Sequence, residues 1–262
     1  MTKSRDIANS TSTLDVDGGT IKLDGNYPNG VNNVALGNTA LDTASGSNGY
    51  SVAIGTNALT AMTSGGSNVA VGYASAAAMT TGGNNVSVGS EALDATTTGN
   101  SNVAVGSAAL GANTTASANT AVGYQAAYVN NQSSITAIGY QALYNNANTL
   151  NTAVGHKALF ANTSGQAVTS VGYEALRDNT SGSRNTAVGY STLSNNTTGE
   201  NNSGFGQTAL SSNTTGTNNS AYGYDSLQSN STGAYNTAMG KDALKANTTA
   251  NNNTAVGYRA SH

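Results

Sequence analysis

His156 and His262 are the two side chains of this 262-residue chain best suited to proton transfer near neutral pH, and there is no cysteine to join them in a metal site. His156 is a candidate general base. No acid stands at a spacing that would orient its ring, however, and it fills a place that Tyr fills in seven sister segments, so we read it as structural. His262 is the last residue given. Asp15 and Asp17 could form an acid pair, but alternation along a short strand makes them solvated or particle-facing carboxylates. With so few histidines and carboxylates, neither a metal cluster nor a Ser-His-Asp triad can be assembled. The glycines form no phosphate-cradling or dinucleotide motif. We therefore expect no enzyme, no catalytic residue, no metal and no cofactor.

Three chemistries that live on repeats are also weighed. Calcium-binding rolls need aspartates at fixed places in every turn, and the acids here are scattered. Triplets such as Asn196-Thr197-Thr198 match glycosylation sequons, but the chain shows no secretory signal and corner geometry accounts for them. Ranked threonines can order water as an ice-binding face does, and Thr120, Thr136, Thr152, Thr169 and Thr186 lie one repeat apart. We expect those five to point inward, which argues against that use.

What positions all these residues is a repeat. Glycines at 37, 55, 72, 89, 106, 123, 139, 155, 172, 189, 206, 223, 240 and 257 follow one another at a spacing of sixteen to eighteen, nearly always seventeen, each closing a variant of Asn-Thr-Ala-Val-Gly. A short period held this long means stacked coils, each completing its neighbour's core. Counting from the glycine, the residue before it is always apolar or aromatic. The residue four after it is Leu in all but two of the thirteen coils that follow through Leu244, and the residue two before it is only Ala, Ser or Gly. The residue three before it is Val through Val103 and Thr or Ser from Thr120 on, and Tyr often follows the glycine. Side chains alternate along a strand, so we expect the Val face to look into the coil and the Ala-Gly face to look out. Asn recurs four before and seven after the glycine. We expect these columns at outward corners, with their amides bonded coil to coil. At about 4.8 Å per coil, fourteen coils predict a rod of roughly 60 Å.

The fold class expected is all-β, a parallel β-solenoid or β-roll of about fourteen 17-residue coils over residues 31–262, preceded by a distinct segment 1–30. A lone solenoid would leave the Ala-Gly face in water. A parallel homotrimer would bury it, with Ala53, Ala70, Ala104, Ala121, Ala137, Ala153, Ala187, Ala221, Ala238 and Ala255 as trimer-contact candidates. A single-chain solenoid is the alternative.

Only 8% of residues are charged and the net charge is -3, with no Lys/Arg cluster, which gives no footprint for nucleic acid. No apolar run approaches the roughly 20 residues that cross a bilayer, so no membrane insertion is expected. The strict register argues against disorder.

Segments such as Asn119-Thr-Ala-Val-Gly-Tyr-Gln-Ala-Ala and Asn185-Thr-Ala-Val-Gly-Tyr resemble the repeats of trimeric autotransporter adhesin heads, which are left-handed parallel β-rolls. The longer arrays are similar to repeats of bacteriophage tail-fibre and appendage proteins. The period here exceeds that of the adhesin heads. A signal peptide and membrane barrel, which an autotransporter needs, are not evident. Seven charged side chains crowd the N-terminal segment, namely Lys3, Arg5, Asp6, Asp15, Asp17, Lys22 and Asp24, and the Asp17–Pro28 run looks like the lead-in of a phage fibre. The resemblance implies a virion fibre with these seven as attachment candidates. A tail, neck or baseplate protein would be the partner at the N-terminus, and a distal fibre or receptor-binding protein at the C-terminus. An extracellular adhesin binding glycan or protein through Tyr and Asn columns is the alternative.

Overall fold

The computed structural model describes residues 33–43 and 49–261, and among these there is no helix. The chain divides into two compact units, Met1–Asn119 and Thr120–His262. The first holds β1 (Val34–Leu36), β2 (Val52–Ile54), β3 (Val69–Val71), β4 (Val86–Val88) and β5 (Val103–Val105). The second holds β6 (Thr120–Val122), β7 (Thr136–Ile138), β8 (Thr152–Val154), β9 (Thr169–Val171), β10 (Thr186–Val188), β11 (Ser203–Phe205), β12 (Ser220–Tyr222), β13 (Thr237–Met239) and β14 (Thr254–Val256). Within each unit every strand pairs with the next, parallel and in register, so that Ala53 lies beside Ala70 and Ala137 beside Ala153. Each unit is therefore an all-β parallel solenoid, as the glycine period predicts. The segment 1–30 and the attachment candidates Lys3, Arg5, Asp6, Asp15, Asp17, Lys22 and Asp24 lie outside the described residues.

Each strand is short because its exit is a glycine at φ 124 to 139°, backbone that residues with a Cβ rarely adopt. The same glycines stack on one another. A Cβ on Gly172 would stand 2.2 Å from the carbonyl oxygen of Gly189 in the next coil. The strand bonds run coil to coil on either side of that contact, with the Thr152 N–H donating to Val168 O at 2.9 Å and the Gly172 N–H to Val154 O at 2.7 Å.

The two faces of the strand are the reverse of those expected from the sequence. Ala53, Ala70, Ala104, Ala121, Ala137, Ala153, Ala187, Ala221 and Ala238 are completely buried inside their own chain, and Ala255 is nearly so. They line the interior with the fully buried Leu column, among it Leu93, Leu110, Leu143 and Leu176. The ten alanines proposed as trimer contacts thus have no surface to offer a second copy. The physical reason is the narrowness of so short a coil, in which the strand faces a second wall across very little space. A Cβ on Gly204 would lie 2.7 Å from Thr192 Cγ2 and 3.5 Å from Leu193 Cδ1 on that wall. Ser87 Oγ reaches Ser75 Oγ at 2.6 Å and donates to Ala92 O at 2.7 Å, and Ser170 Oγ donates to Ala175 O at 2.7 Å. Leucine fills the interior from one wall, and only Ala, Ser or Gly fits opposite. Burying each leucine contributes about 1.5–3 kcal/mol.

The Asn columns are also inside, not at exposed corners. Asn179, Asn196, Asn213 and Asn230 are buried, and each passes an amide bond to the coil before it. Asn179 Nδ2 donates to Asn162 Oδ1 at 2.9 Å, Asn196 Nδ2 to Asn179 Oδ1 at 2.8 Å and Asn213 Nδ2 to Asn196 Oδ1 at 2.8 Å. A second hydrogen of each amide caps a corner carbonyl, as Asn196 Nδ2 does to Gly199 O at 3.0 Å. The expected coil-to-coil amide bonding is present, and burial makes it a condition of folding, since a buried amide left unpaired is costly.

Candidate functional surface

Three of the surfaces that meet solvent recur from coil to coil as columns or edges; corner residues such as Thr198 and the residue five before the glycine, such as Tyr235, are exposed as well. The first is the outward face of the strand. Its two columns, three and one before each glycine, hold Val69 and Val71 in the first unit and Thr152 and Val154 in the second, all half-exposed. The residues Thr120, Thr136, Thr152, Thr169 and Thr186 lie here and point out, against expectation, whereas corner threonines are engaged coil to coil, as in Thr180 Oγ1 donating to Thr197 O at 3.0 Å. The outward row is broken for ice recognition by Ser203 and Ser220 and by the bulk of Phe205, Tyr222 and Met239 beside them, which interrupt the even array that ordered water would follow.

The second is the aromatic column after the glycine. Tyr140, His156, Tyr173 and Tyr190 stack in sequence with ring centres 5.1, 4.9 and 5.1 Å apart and planes within 8°, and Tyr124 extends the ladder at 5.4 Å. His156 occupies the Tyr column, as its spacing predicts. Stacking at this distance stabilises one coil on the next. The rings cover one another's faces, so their edges and phenol hydroxyls meet water. The carboxylate of Glu174 holds the Tyr173 phenol above its ordinary range. A second ladder, Tyr128–Tyr144–Phe160, is half-buried, with Lys157 Nζ 5.5 Å from the Phe160 ring centre.

The third is a charged edge formed two, five and six positions after the glycine. There Arg177 bridges Glu174 at 2.9 Å and Asp178 at 2.6 Å, and hydrogen bonding to Asp178 raises its already high basicity further. Lys245 bridges the nearly buried carboxylates of Asp225 at 2.6 Å and Asp242 at 3.3 Å, and the Asp225 bond holds its ammonium above the usual lysine range. Asp94 is pushed above the usual carboxylate range, chiefly by burial. Among the described residues no three His, Asp or Glu side chains are grouped to hold a metal ion, and no helix is long and apolar enough to cross a membrane.

The architecture defines a class, the parallel β-solenoid repeat proteins. No protein-family model matches the chain, and neither does any curated protein or solved structure. The surface that the sequence reading missed is the outward strand face. Its signal was present in the column before the glycine, which ranges over Leu, Ile, Val, Phe, Tyr and Met and so varies in size as an enclosed position could not.

Proposed function

We propose that the chain is a non-catalytic structural protein, a homotrimeric fibre or appendage of a phage virion that docks through residues 1–30 on a tail, neck or baseplate protein. The observation that carries this reading is the uniformity of the coils. The same buried Ala, Leu and Asn columns and the same bonded glycine exit recur through both units, which gives stiffness, while the outward columns carry no assembled chemistry. The similarity of the repeats to phage fibre arrays supplies the setting. Mass spectrometry and immunogold labelling of purified particles test it, and absence from virions would refute it. Removing residues 1–30 should leave a folded protein that no longer joins the particle, and retained assembly would defeat the docking role.

The second reading, a secreted or cell-surface adhesin, is favoured by one observation. Tyr124, Tyr140, Tyr173 and Tyr190 remain 43 to 52% exposed along a single ladder. Its Asn half is withdrawn, since those amides are internal. A glycan or cell-binding assay with these four tyrosines replaced by Ser separates it from the fibre reading.

A further inference from the structure

In the second unit, tyrosines of successive coils stand side by side in three pairs. Tyr124 stacks on Tyr140 with ring centres 5.4 Å and planes 18° apart, Tyr128 on Tyr144 at 5.4 Å and 20°, and Tyr173 on Tyr190 at 5.1 Å and 6°. The partners are sixteen or seventeen residues apart in sequence, so the register that pairs the strands also sets phenol beside phenol. His156 stacks between Tyr140 and Tyr173 and divides the outer ladder into two separate pairs. Tyr222 and Tyr224 show the contrast. Tyr222 stacks on Phe205 at 5.0 Å, and Tyr224 has Gln207 and Lys241 at its place in the coils on either side.

The chemistry of the chain directs oxidation to these rings. A phenol is readily oxidised by one electron, and the chain has no cysteine and no tryptophan to be oxidised in its place. Tyr124, Tyr140, Tyr173 and Tyr190 are exposed, and the ring edge that carries the hydroxyl and its two ortho carbons meets solvent. Exposed side chains change rotamer within nanoseconds, so neighbouring rings can swing until their ortho carbons meet. The Glu174 carboxylate, whose charge holds the Tyr173 phenol above its ordinary range, is placed to accept the proton that Tyr173 loses on oxidation. Two reacting groups held side by side couple as one molecule does, faster than groups that must first encounter each other.

We infer that these pairs are sites of oxidative cross-linking, each closing to a dityrosine bond that staples one coil to the next. The oxidant is a peroxidase acting with hydrogen peroxide. Each phenol gives up one electron and its hydroxyl proton. The two phenoxyl radicals form a carbon–carbon bond between positions ortho to their oxygens, and each ring passes its ortho hydrogen to its oxygen as a proton and is a phenol again. The pair has lost two electrons and two protons, which turn one hydrogen peroxide into two waters. The bond ties residues seventeen apart at Tyr173 and Tyr190, and so restricts the unfolded chain as a disulfide would in a protein with no cysteine. It requires neither the fibre nor the adhesin reading.

Treating the full chain with a haem peroxidase and hydrogen peroxide, then digesting it with trypsin, tests this. Peptide 158–177, in which Tyr173 is the one tyrosine, should appear joined to peptide 185–241, which holds Tyr190, two hydrogens lighter than the sum of the two. Tyr190→Phe should lose that species with an unchanged circular dichroism spectrum, since Phe160 stacks on Tyr144 just as a tyrosine does, at 5.3 Å. Tyr222→Phe, a change in the same peptide, should keep it. In a mixture of heavy-nitrogen-labelled and unlabelled chains the joined peptides should carry like labels, and the oxidised wild type should unfold at higher urea than the untreated protein. No joined species, its survival in Tyr190→Phe, its loss in Tyr222→Phe, labels mixed at random, or an unmoved urea midpoint overturns the inference. The isotope and urea measurements use the wild type alone, so they refute it even where Tyr190→Phe fails to fold.

Discussion

Replacing Gly172 with Ala measures how tightly one coil is seated on the next. Two costs arise. The backbone at φ +136° lies in a region that only glycine enters freely, worth about 1–3 kcal/mol for a residue with a Cβ. The added methyl would also stand 2.2 Å from Gly189 O and 2.7 Å from Gly189 C. Those are backbone atoms of the neighbouring coil, so no rotamer change relieves the clash. Overpacking of this kind adds about 1–3 kcal/mol. Gly257 provides the control, with φ +124° but nothing within 4 Å of its added Cβ. Gly172→Ala should therefore lose about 2–6 kcal/mol and Gly257→Ala about 1–3 kcal/mol. Because each coil contacts only its neighbours, the damage should be local. Urea unfolding followed by circular dichroism gives the two stabilities, and hydrogen exchange should show lost protection at the Gly172 N–H and Gly189 N–H, which bond across coils. Equal destabilisation by the two variants would refute the idea that glycine is required here for coil-to-coil approach as well as for its φ.

The reversed facing of the strand predicts that Ala187→Leu costs about 1–3 kcal/mol by overpacking, whereas Val188→Leu, next along the strand, stays within about 0.5 kcal/mol. Comparable thermal shifts for the pair would contradict the burial of Ala187. Asn196→Leu removes the donor to Asn179 Oδ1 and the acceptor for Asn213 Nδ2. It should destabilise by about 1–3 kcal/mol for each group left unpaired, and chemical denaturation showing no loss would mean that the amide ladder carries no weight. Burial raises the Asp94 carboxyl above 3.8, so the ionised form is disfavoured in the fold, and this group's contribution to stability is present below 3.8 and lost as pH rises through the raised value. Asp94→Asn should accordingly raise the melting temperature near neutral pH and leave it unchanged well below that pH; a shift of equal size at both would dismiss the burial argument.

The stacking itself was legible because one signal, the periodic glycine, encodes both a backbone conformation and a close approach that no other residue meets. The amide bonding between coils was legible for a similar reason, since identical polar residues in register can satisfy one another. The left-handed residues were not. In one coil Glu174, Leu176 and Arg184 have φ of 51, 48 and 58°, and a leucine carries no mark of such a backbone. Its conformation costs about 1–2 kcal/mol. It is held by the enclosure of its side chain and by its N–H, which donates to Thr192 O at 3.0 Å. Both are tertiary facts.

The facing of the strand escapes a reading by hydrophobicity because size outranks it here. Valine is the more apolar residue, and ordinary alternation would bury it. In a coil this short the distance between walls is set by the backbone, and the leucine four after the glycine already fills it. The position across from it accepts what space remains. The chain records this in pairs. Where the facing wall carries Thr192, the next coil has Gly204 in place of Ala, and a Cβ there would meet the Thr192 methyl at 2.7 Å. Where the wall carries Ser75, the next coil has Ser87, and the two hydroxyls meet at 2.6 Å. A column that compensates its neighbour atom for atom is enclosed. A column that runs freely from Val to Phe, Tyr and Met has open space before it, and in this chain that freedom, more than apolar character, marks the surface available to a partner.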